Sequence, residues 1–285
     1  SRKTETIPAT GHAETYEYKV IDDVLYLVPV CGCESEKKDV DTTKAVSVSN
    51  EADLRTVLSA GYSVVLAEDV TITEAIKLVN GQNVTLDLAG KTITNSTAIG
   101  GHQAPNDGGE ASTICEILYV GAGANVTITG NGKMIANGDA DYVQVLSAVD
   151  GGNVTIENGT FTSHGCTAIY ATRSATVVIK GGHFEATDEY YNGAFLLDIN
   201  EALPENEWGT ITVSGGTFVK FNPANCAYDG SNTNKLADNY HSIKDGNVYT
   251  VSKHDYTHET TAPTCTAAGY TTYTCVCGDT YHVAG

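Results

Sequence analysis

Apolar and polar residues alternate in a short phrase that returns along the chain. It reads NVTLDLAGKTI from Asn83, NVTITGNGKMI from Asn125, NVTIENGTFTS from Asn153, TVVIKGGHFEA from Thr176 and TITVSGGTFVK from Thr210. A half-copy, NVYTV, starts at Asn247. Val84 and Leu86, Val126 and Ile128, Val154 and Ile156, Val177 and Ile179, Ile211 and Val213 share one face. Thr85, Thr127, Thr155 and Thr212 share the other, with Val178 in the fourth copy. Period two among β-branched residues predicts a strand in each copy. Glycine follows each strand, and a bulky apolar residue comes soon after: Ile93, Met134, Phe161, Phe184 and Phe218. The copies start between 23 and 42 residues apart, so one strand-turn unit recurs while its connections vary. Such recurrence marks a solenoid, in which each unit buries its apolar face against its neighbours. At about 4.8 Å per coil, like residues stack into an inner aliphatic ladder, an inner Phe ladder and an outer Thr row.

A second strand precedes the phrase: CEILYV from Cys115, QVLSAV from Gln144, CTAIYA from Cys166 and AFLLDI from Ala194. Two or three strands per coil over residues 63–251 resemble the right-handed parallel β-helix of the pectin-lyase-like superfamily. The expected fold is all-β, a right-handed parallel β-helix with a short N-terminal capping helix and a small C-terminal Cys/His β module. Residues 50–60, NEADLRTVLSA, supply the cap, with Asn50 at the N-cap, Leu54, Val57 and Leu58 on one face and Gly61 as the stop. The expected organisation is a His/Cys remnant and linker over 1–41, the β-helix with its cap over 42–251, and the C-terminal module over 252–285.

The 285-residue chain holds 16 Lys+Arg against 35 Asp+Glu, a net charge of −19. That balance argues against nucleic acid and anionic membrane surfaces, which attract basic patches. No apolar run reaches the ~20 residues that span a bilayer. The opening SRKTETIPATGH reads as the interior of a longer exported chain. Asn83, Asn125 and Asn153 head NVT glycosylation triplets that belong to the repeat itself, and are read as ladder residues.

Cys115 and Cys166 occupy equivalent places two coils apart, about 10 Å, too far for the about 7 Å between Cα atoms that a disulfide needs. Cys226 has no assignment from the pattern. Cys265, Cys275 and Cys277 fall within thirteen residues, with His254 and His258 ahead and His282 after. Three thiolates and one imidazole fill a tetrahedral zinc shell, with His254 the first choice and His258 the second. One disulfide plus a free thiol is the other reading. The N-terminal end carries His12, Cys31 and Cys33, a weaker set. Ile7-Pro8-Ala9-Thr10-Gly11-His12, and Pro263-Thr264-Cys265-Thr266 with Tyr273-Thr274-Cys275, resemble short His/Cys modules strung in tandem in large surface proteins of gut bacteria.

Two functional classes remain. Asp139, Asp141, His164 and Asp188 share one corner of successive coils, where a polysaccharide lyase or glycoside hydrolase would place its groups on an acidic glycan. No paired-Asp or Gly-His-Gly block accompanies them. A non-catalytic binder is the preferred reading. Tyr119 and Tyr170 project outward from second strands, and Tyr270, Thr271, Thr272, Tyr273 and Tyr281 lie on a ribbon in the C-terminal module, suited to protein contact. A β-helix flanked by His/Cys modules is similar in layout to commensal surface adhesins, including superantigen-like proteins that bind immunoglobulin heavy-chain variable domains. The resemblance implies a secreted or cell-surface protein with a host partner.

Overall fold

The computed structural model describes residues 15–30, 37–103, 111–226 and 234–285, with the backbone alone at 101–103 and 111. His12, Cys31 and Cys33 lie outside the described residues, as do parts of the loops around 107 and 230. The fold is all-β with mostly parallel sheets.

Every full copy of the phrase forms its strand, and the five strands lie side by side in one sheet. Its order is Thr210–Val213, Thr176–Ile179, Asn153–Ile156, Asn125–Thr129, Asn83–Asp87, Val64–Leu66 and Val46–Val48, all parallel. The register is residue for residue: Val126 pairs with Val84 and Val154, and Thr127 with Thr85 and Thr155. The residues after each glycine make a second parallel sheet: Val70–Ile72, Thr92–Asn95, Lys133–Ala136, Thr160–Ser163, His183–Ala186 and Gly216–Val219. A third contains Ile76–Leu78, Ala111–Val120, Tyr142–Ala148, Ile169–Ala171 and Leu197–Ile199, again parallel. Strand Ile99–Gln103 joins its edge antiparallel. From Asn83 to Val219 the chain visits the three sheets in rotation.

The inward faces meet in one core that runs from Leu25 to Val251. Val126, Ile128, Val154, Ile156, Ile179, Phe161, Phe184 and Phe218 are all buried. Phe161, Phe184 and Phe218 stack ring on ring, with centroids 4.9 and 5.0 Å apart and planes within 7°. The rings follow the rung spacing of the backbone, so parallel register and aromatic stacking support each other. The corner glycines answer to close approach: a Cβ on Gly132 would lie 2.1 Å from the Lys91 carbonyl oxygen. Asn125 and Asn153 each donate a side-chain N–H to the carbonyl two residues back, at Gly123 and Gly151, which fits the ladder reading.

The helix Glu51–Ser59 forms where expected. The Asn50 side chain accepts from the Asp53 N–H, and Leu54, Val57 and Leu58 are buried against the first strands of all three sheets. Within the segment expected as remnant and linker, strands Tyr16–Ile21, Val24–Pro29 and Lys38–Asp39 form a three-stranded antiparallel sheet. The Tyr18 N–H donates to Asp53, tying this sheet to the helix.

The half-copy at Asn247 departs from expectation. Strand Val248–Lys253 runs antiparallel to Gly216–Val219 and to Tyr240–Asp245. The hairpin turn at Gly246, with φ 57°, sends the chain back on itself and ends the parallel run. The expected boundary at 252 therefore falls inside a strand.

The third sheet also breaks strict alternation. The Val145 and Leu146 N–H groups both donate to the Ala168 carbonyl, and those of Ala168 and Ile169 both to Leu196. These stacked bulges turn two consecutive residues inward on each rung: Ile117 and Leu118, Val145 and Leu146, Ala168 and Ile169, Leu196 and Leu197. Outside them lies a buried carboxyl. Glu116 accepts from Gln144 Nε2 at 3.2 Å and from Ser147 Oγ. Burial raises its pKa to about 7, with the Ser147 and Gln144 donors and Lys77 pulling the other way. Cys115 and Cys166 are not bonded to each other, and Cys226 is buried beside the Asn222 and Pro223 carbonyls.

Two outcomes follow from this packing. Phe184→Ala removes the middle ring of the stack and is expected to destabilise the protein by ~3–5 kcal/mol in denaturant unfolding, whereas Thr155→Ala on the outer Thr row costs under ~1 kcal/mol. Glu116 binds its proton more tightly folded than unfolded, so its contribution is fully present below about pH 4.5 and is lost as pH rises through about 7. Glu116→Gln should therefore raise the thermal midpoint at pH 8, by the equivalent of about 3 kcal/mol, and leave it nearly unchanged at pH 4.5.

Candidate metal centre

Past Val251 the supply of apolar residues fails. The C-terminal sheet consists of Tyr256–Thr261, Tyr270–Cys275 and Thr280–Ala284, antiparallel throughout. Among residues 252–285 only Gly269 and Cys275 are buried. A sheet of this size cannot be held by a core it does not have.

What gathers at its end is a set of donors. His241, His254, Cys275 and Cys277 bring one ligand atom each to within 4.8 Å of one another. Cys275 Sγ lies 3.9 Å from His241 Nδ1, and Cys277 Sγ 3.4 Å from His254 Nδ1. Tetrahedral zinc, with bonds of about 2.0–2.3 Å, needs its donors about 3.3–3.8 Å apart. The cluster can bind a metal after a contraction of about 1 Å at its widest separation.

Local sequence explains the placement of each ligand. Cys275 ends its strand, and a tight turn returns the chain: the Gly278 N–H donates to the Cys275 carbonyl, and the Cys275 N–H to the Asp279 carbonyl. Gly278 takes φ 94°, a left-handed conformation open to glycine, and the turn brings both thiols to one side. His254 follows strand Val248–Lys253, its N–H donating to the Asn239 carbonyl. Its ring stacks on Tyr256 at 5.4 Å. His241 sits opposite Ser252 in the preceding hairpin, and its Nε2 meets Ser252 Oγ at 3.2 Å. With Nε2–H donating to that hydroxyl, Nδ1 is left to face the thiols, which is how metal-bound imidazoles are usually oriented.

The electrostatics favour a thiolate. Burial opposes ionisation of Cys275, but donors from the Cys277 backbone, His254 and the Cys277 thiol outweigh it and bring its pKa down to about 7. Burial pushes Cys277 up, and the neighbouring Cys275 charge adds to that. Burial and the nearby His254 lower the pKa of His241, which favours the neutral form that a metal takes.

The expected ligand set is thus corrected at one position. His254, Cys275 and Cys277 come together, while Cys265 is exposed in the loop between strands and lies outside the cluster. His241 takes its place. His258, the second choice, is exposed on the C-terminal sheet beside Tyr273, and His282 meets Thr272. The pattern of a local three-thiol module concealed His241, which belongs to a different sheet.

The expected binding ribbon also divides. Cross-strand pairing places Tyr273 opposite Tyr281 and His258, with Thr271 on the same face. Tyr273 and Tyr281 stack at 4.8 Å and 4°, and Tyr256 meets Tyr281 edge-on. Tyr270 and Thr272 lie on the opposite face, where Tyr270 meets His282. Tyr119 and Tyr170 stand on the third sheet, far along the chain from this ribbon. Burial raises the Tyr170 pKa to about 12, with Asp198 adding to it. The carboxylates of the alternative site have structural partners, Asp141 across to the neighbouring rung and Asp188 within a local turn. Asp141 accepts from the Thr113 N–H and Oγ1, and Asp188 from the Tyr191 N–H. Asp139 and His164 are exposed, and among the described residues His241, His254, Cys275 and Cys277 form the single close grouping of three or more such donors.

A metal titration checks the corrected ligand set. Cys277→Ser is expected to abolish tight binding, and Cys265→Ser to leave stoichiometry and affinity unchanged.

Compared with known families, curated proteins and solved structures, the chain matches no family model, no curated protein and no solved structure.

Proposed function

We propose that this chain is a non-catalytic surface binding protein: a right-handed parallel β-helix of the pectin-lyase-like kind that carries a zinc-stabilised binding sheet at its C-terminal end. The rotation of successive strands through three parallel sheets supports the β-helix. Two thiolates and two imidazoles suit zinc better than magnesium or calcium, which prefer oxygen donors.

One observation carries the binding reading. Tyr273 and Tyr281 stack on a sheet face in which Tyr281 remains 44% exposed, and both edge strands of that sheet lack a partner strand among the described residues. Rigid aromatic rings beside open edges suit contact with a protein through anchors or strand pairing. Tyr273, Tyr281, Tyr256, His258 and Thr271 form the proposed contact. An immunoglobulin heavy-chain variable domain is the leading partner, on the similarity of the layout to superantigen-like proteins of commensal bacteria. The location that goes with it is extracellular, on a bacterial surface or secreted. Of the carboxylates in the glycan-cleaving alternative, Asp141 bonds Thr113 on the neighbouring rung, Asp188 caps a local turn and Asp139 is exposed, with no shared partner among them, which favours the binder.

Binding of the purified chain to pooled immunoglobulin tests the proposal. The double variant Tyr273→Ala/Tyr281→Ala should weaken binding about 30-fold, the effect of losing anchors worth about 2 kcal/mol. Tyr270→Ala, on the other face, should change it little. Cleavage of a polyuronate that stops with Asp139→Asn or Asp141→Asn, without immunoglobulin binding, would establish the enzyme instead.

A further inference from the structure

We propose that the metal is a clasp: one divalent ion held by His241, His254, Cys275 and Cys277 joins the C-terminal sheet to the hairpin that ends the second sheet, so that metal binding and docking of the C-terminal sheet are one event. The donor set is split between the two bodies it joins. His241 lies on Tyr240–Asp245, hydrogen-bonded into the second sheet through Val248–Lys253. Cys275 and Cys277 lie at the end of the central strand of the C-terminal sheet and in the turn after it. His254 stands between them, in the link that follows Lys253. Neither body holds four ligands alone.

The chemistry of the set defines the ion. Two thiolates and two neutral imidazoles select a borderline-soft ion such as zinc, and four protein donors close the tetrahedron. A closed shell serves structure, since catalysis by zinc needs an open position. Burial points the same way: Cys275 is 2% exposed and His241 7%.

The clasp replaces what the sheet lacks. With Gly269 and Cys275 the only buried residues of the segment from 252 to 285, the sheet has no buried apolar face to set its orientation against the rest of the chain, and coordination supplies the missing free energy. The ion also connects to the exposed aromatic face. His254 contacts Tyr256, Tyr256 contacts Tyr281, and Tyr281 stacks on Tyr273. The Tyr256 hydroxyl donates to Asp279, just past the Cys277 turn, at 2.6 Å. Release of the ion therefore frees that face from its fixed position against the hairpin. The clasp does not depend on what the face binds.

Zinc titrated into the chelator-treated 285-residue chain, followed by amide hydrogen exchange, tests this. One equivalent should bind, and the amides of Tyr256–Thr261, Tyr270–Cys275 and Tyr240–Asp245 should slow together. His241→Ala, which leaves every ligand of the C-terminal segment intact, should weaken zinc binding at least about 100-fold, since losing an outer-shell partner alone costs about 10–100-fold. The same variant should lose protection in the C-terminal sheet while the sheets from Asn83 to Val219 keep theirs. His241→Cys restores a donor and should recover both affinity and protection, which separates a lost ligand from a misfolded hairpin. The proposal is overturned if no zinc binds, if His241→Ala binds zinc as tightly as the unaltered chain, or if zinc binds without slowing exchange in the C-terminal sheet.

Discussion

In-register parallel pairing is the constraint on which the rest of this structure depends. Each rung must offer the next one a matching surface, so valine meets valine, threonine meets threonine and phenylalanine meets phenylalanine at the spacing of adjacent strands. A slip of one residue would turn every inward side chain to water. The same constraint explains why connections vary and strands do not: a loop that leaves a corner costs little, whereas a strand out of register disturbs the rungs on both sides. It also explains how a buried carboxyl is tolerated. The bulges repeat from rung to rung, so Glu116 sits where Gln144 and Ser147 can donate to it.

An open stack has to end somewhere, and its two ends are finished by different means. At the first, the helix Glu51–Ser59 lays Leu54, Val57 and Leu58 over the starting strands and carries the N-terminal sheet through Asp53. At the other, an antiparallel hairpin stops the parallel run at Gly216–Val219. The hairpin places His241 where the thiols of the following sheet can reach it. The buried apolar core runs as far as Val251; beyond it, His254, Cys275 and Cys277 gather with His241 in a cluster that could bind a metal.

Much of this was legible in the sequence because period two and a fixed phrase carry both strand and face. The buried set and the unbonded Cys115 and Cys166 follow from it, while the helix was marked separately by Asn50 and the helical spacing of Leu54, Val57 and Leu58. Other features were concealed for identifiable reasons. Alternation has no direction, so NVYTV reads the same in an antiparallel strand, and only the Gly246-Asn247 turn marked the reversal. A strict alternation cannot announce a bulge, which is why the paired inward residues at 117 and 118 escaped notice. Tyr270 and Tyr273 are an odd number of positions apart, so a strand must set them on opposite faces; that signal was present. His241 carried no such mark. It stands in NYHSI, away from any cysteine, and a count of nearby thiols favoured Cys265.

The composition of the metal shell separates the local module expected from sequence from the split clasp of the structure. X-ray absorption at the zinc edge of the loaded, purified chain measures it directly. Two sulfurs at about 2.3 Å and two nitrogens at about 2.0–2.1 Å are the predicted shell, drawn from Cys275, Cys277, His254 and His241. Three sulfurs and one nitrogen would contradict the account, because a third thiolate, such as Cys265 in the local module, would then have taken the place of an imidazole.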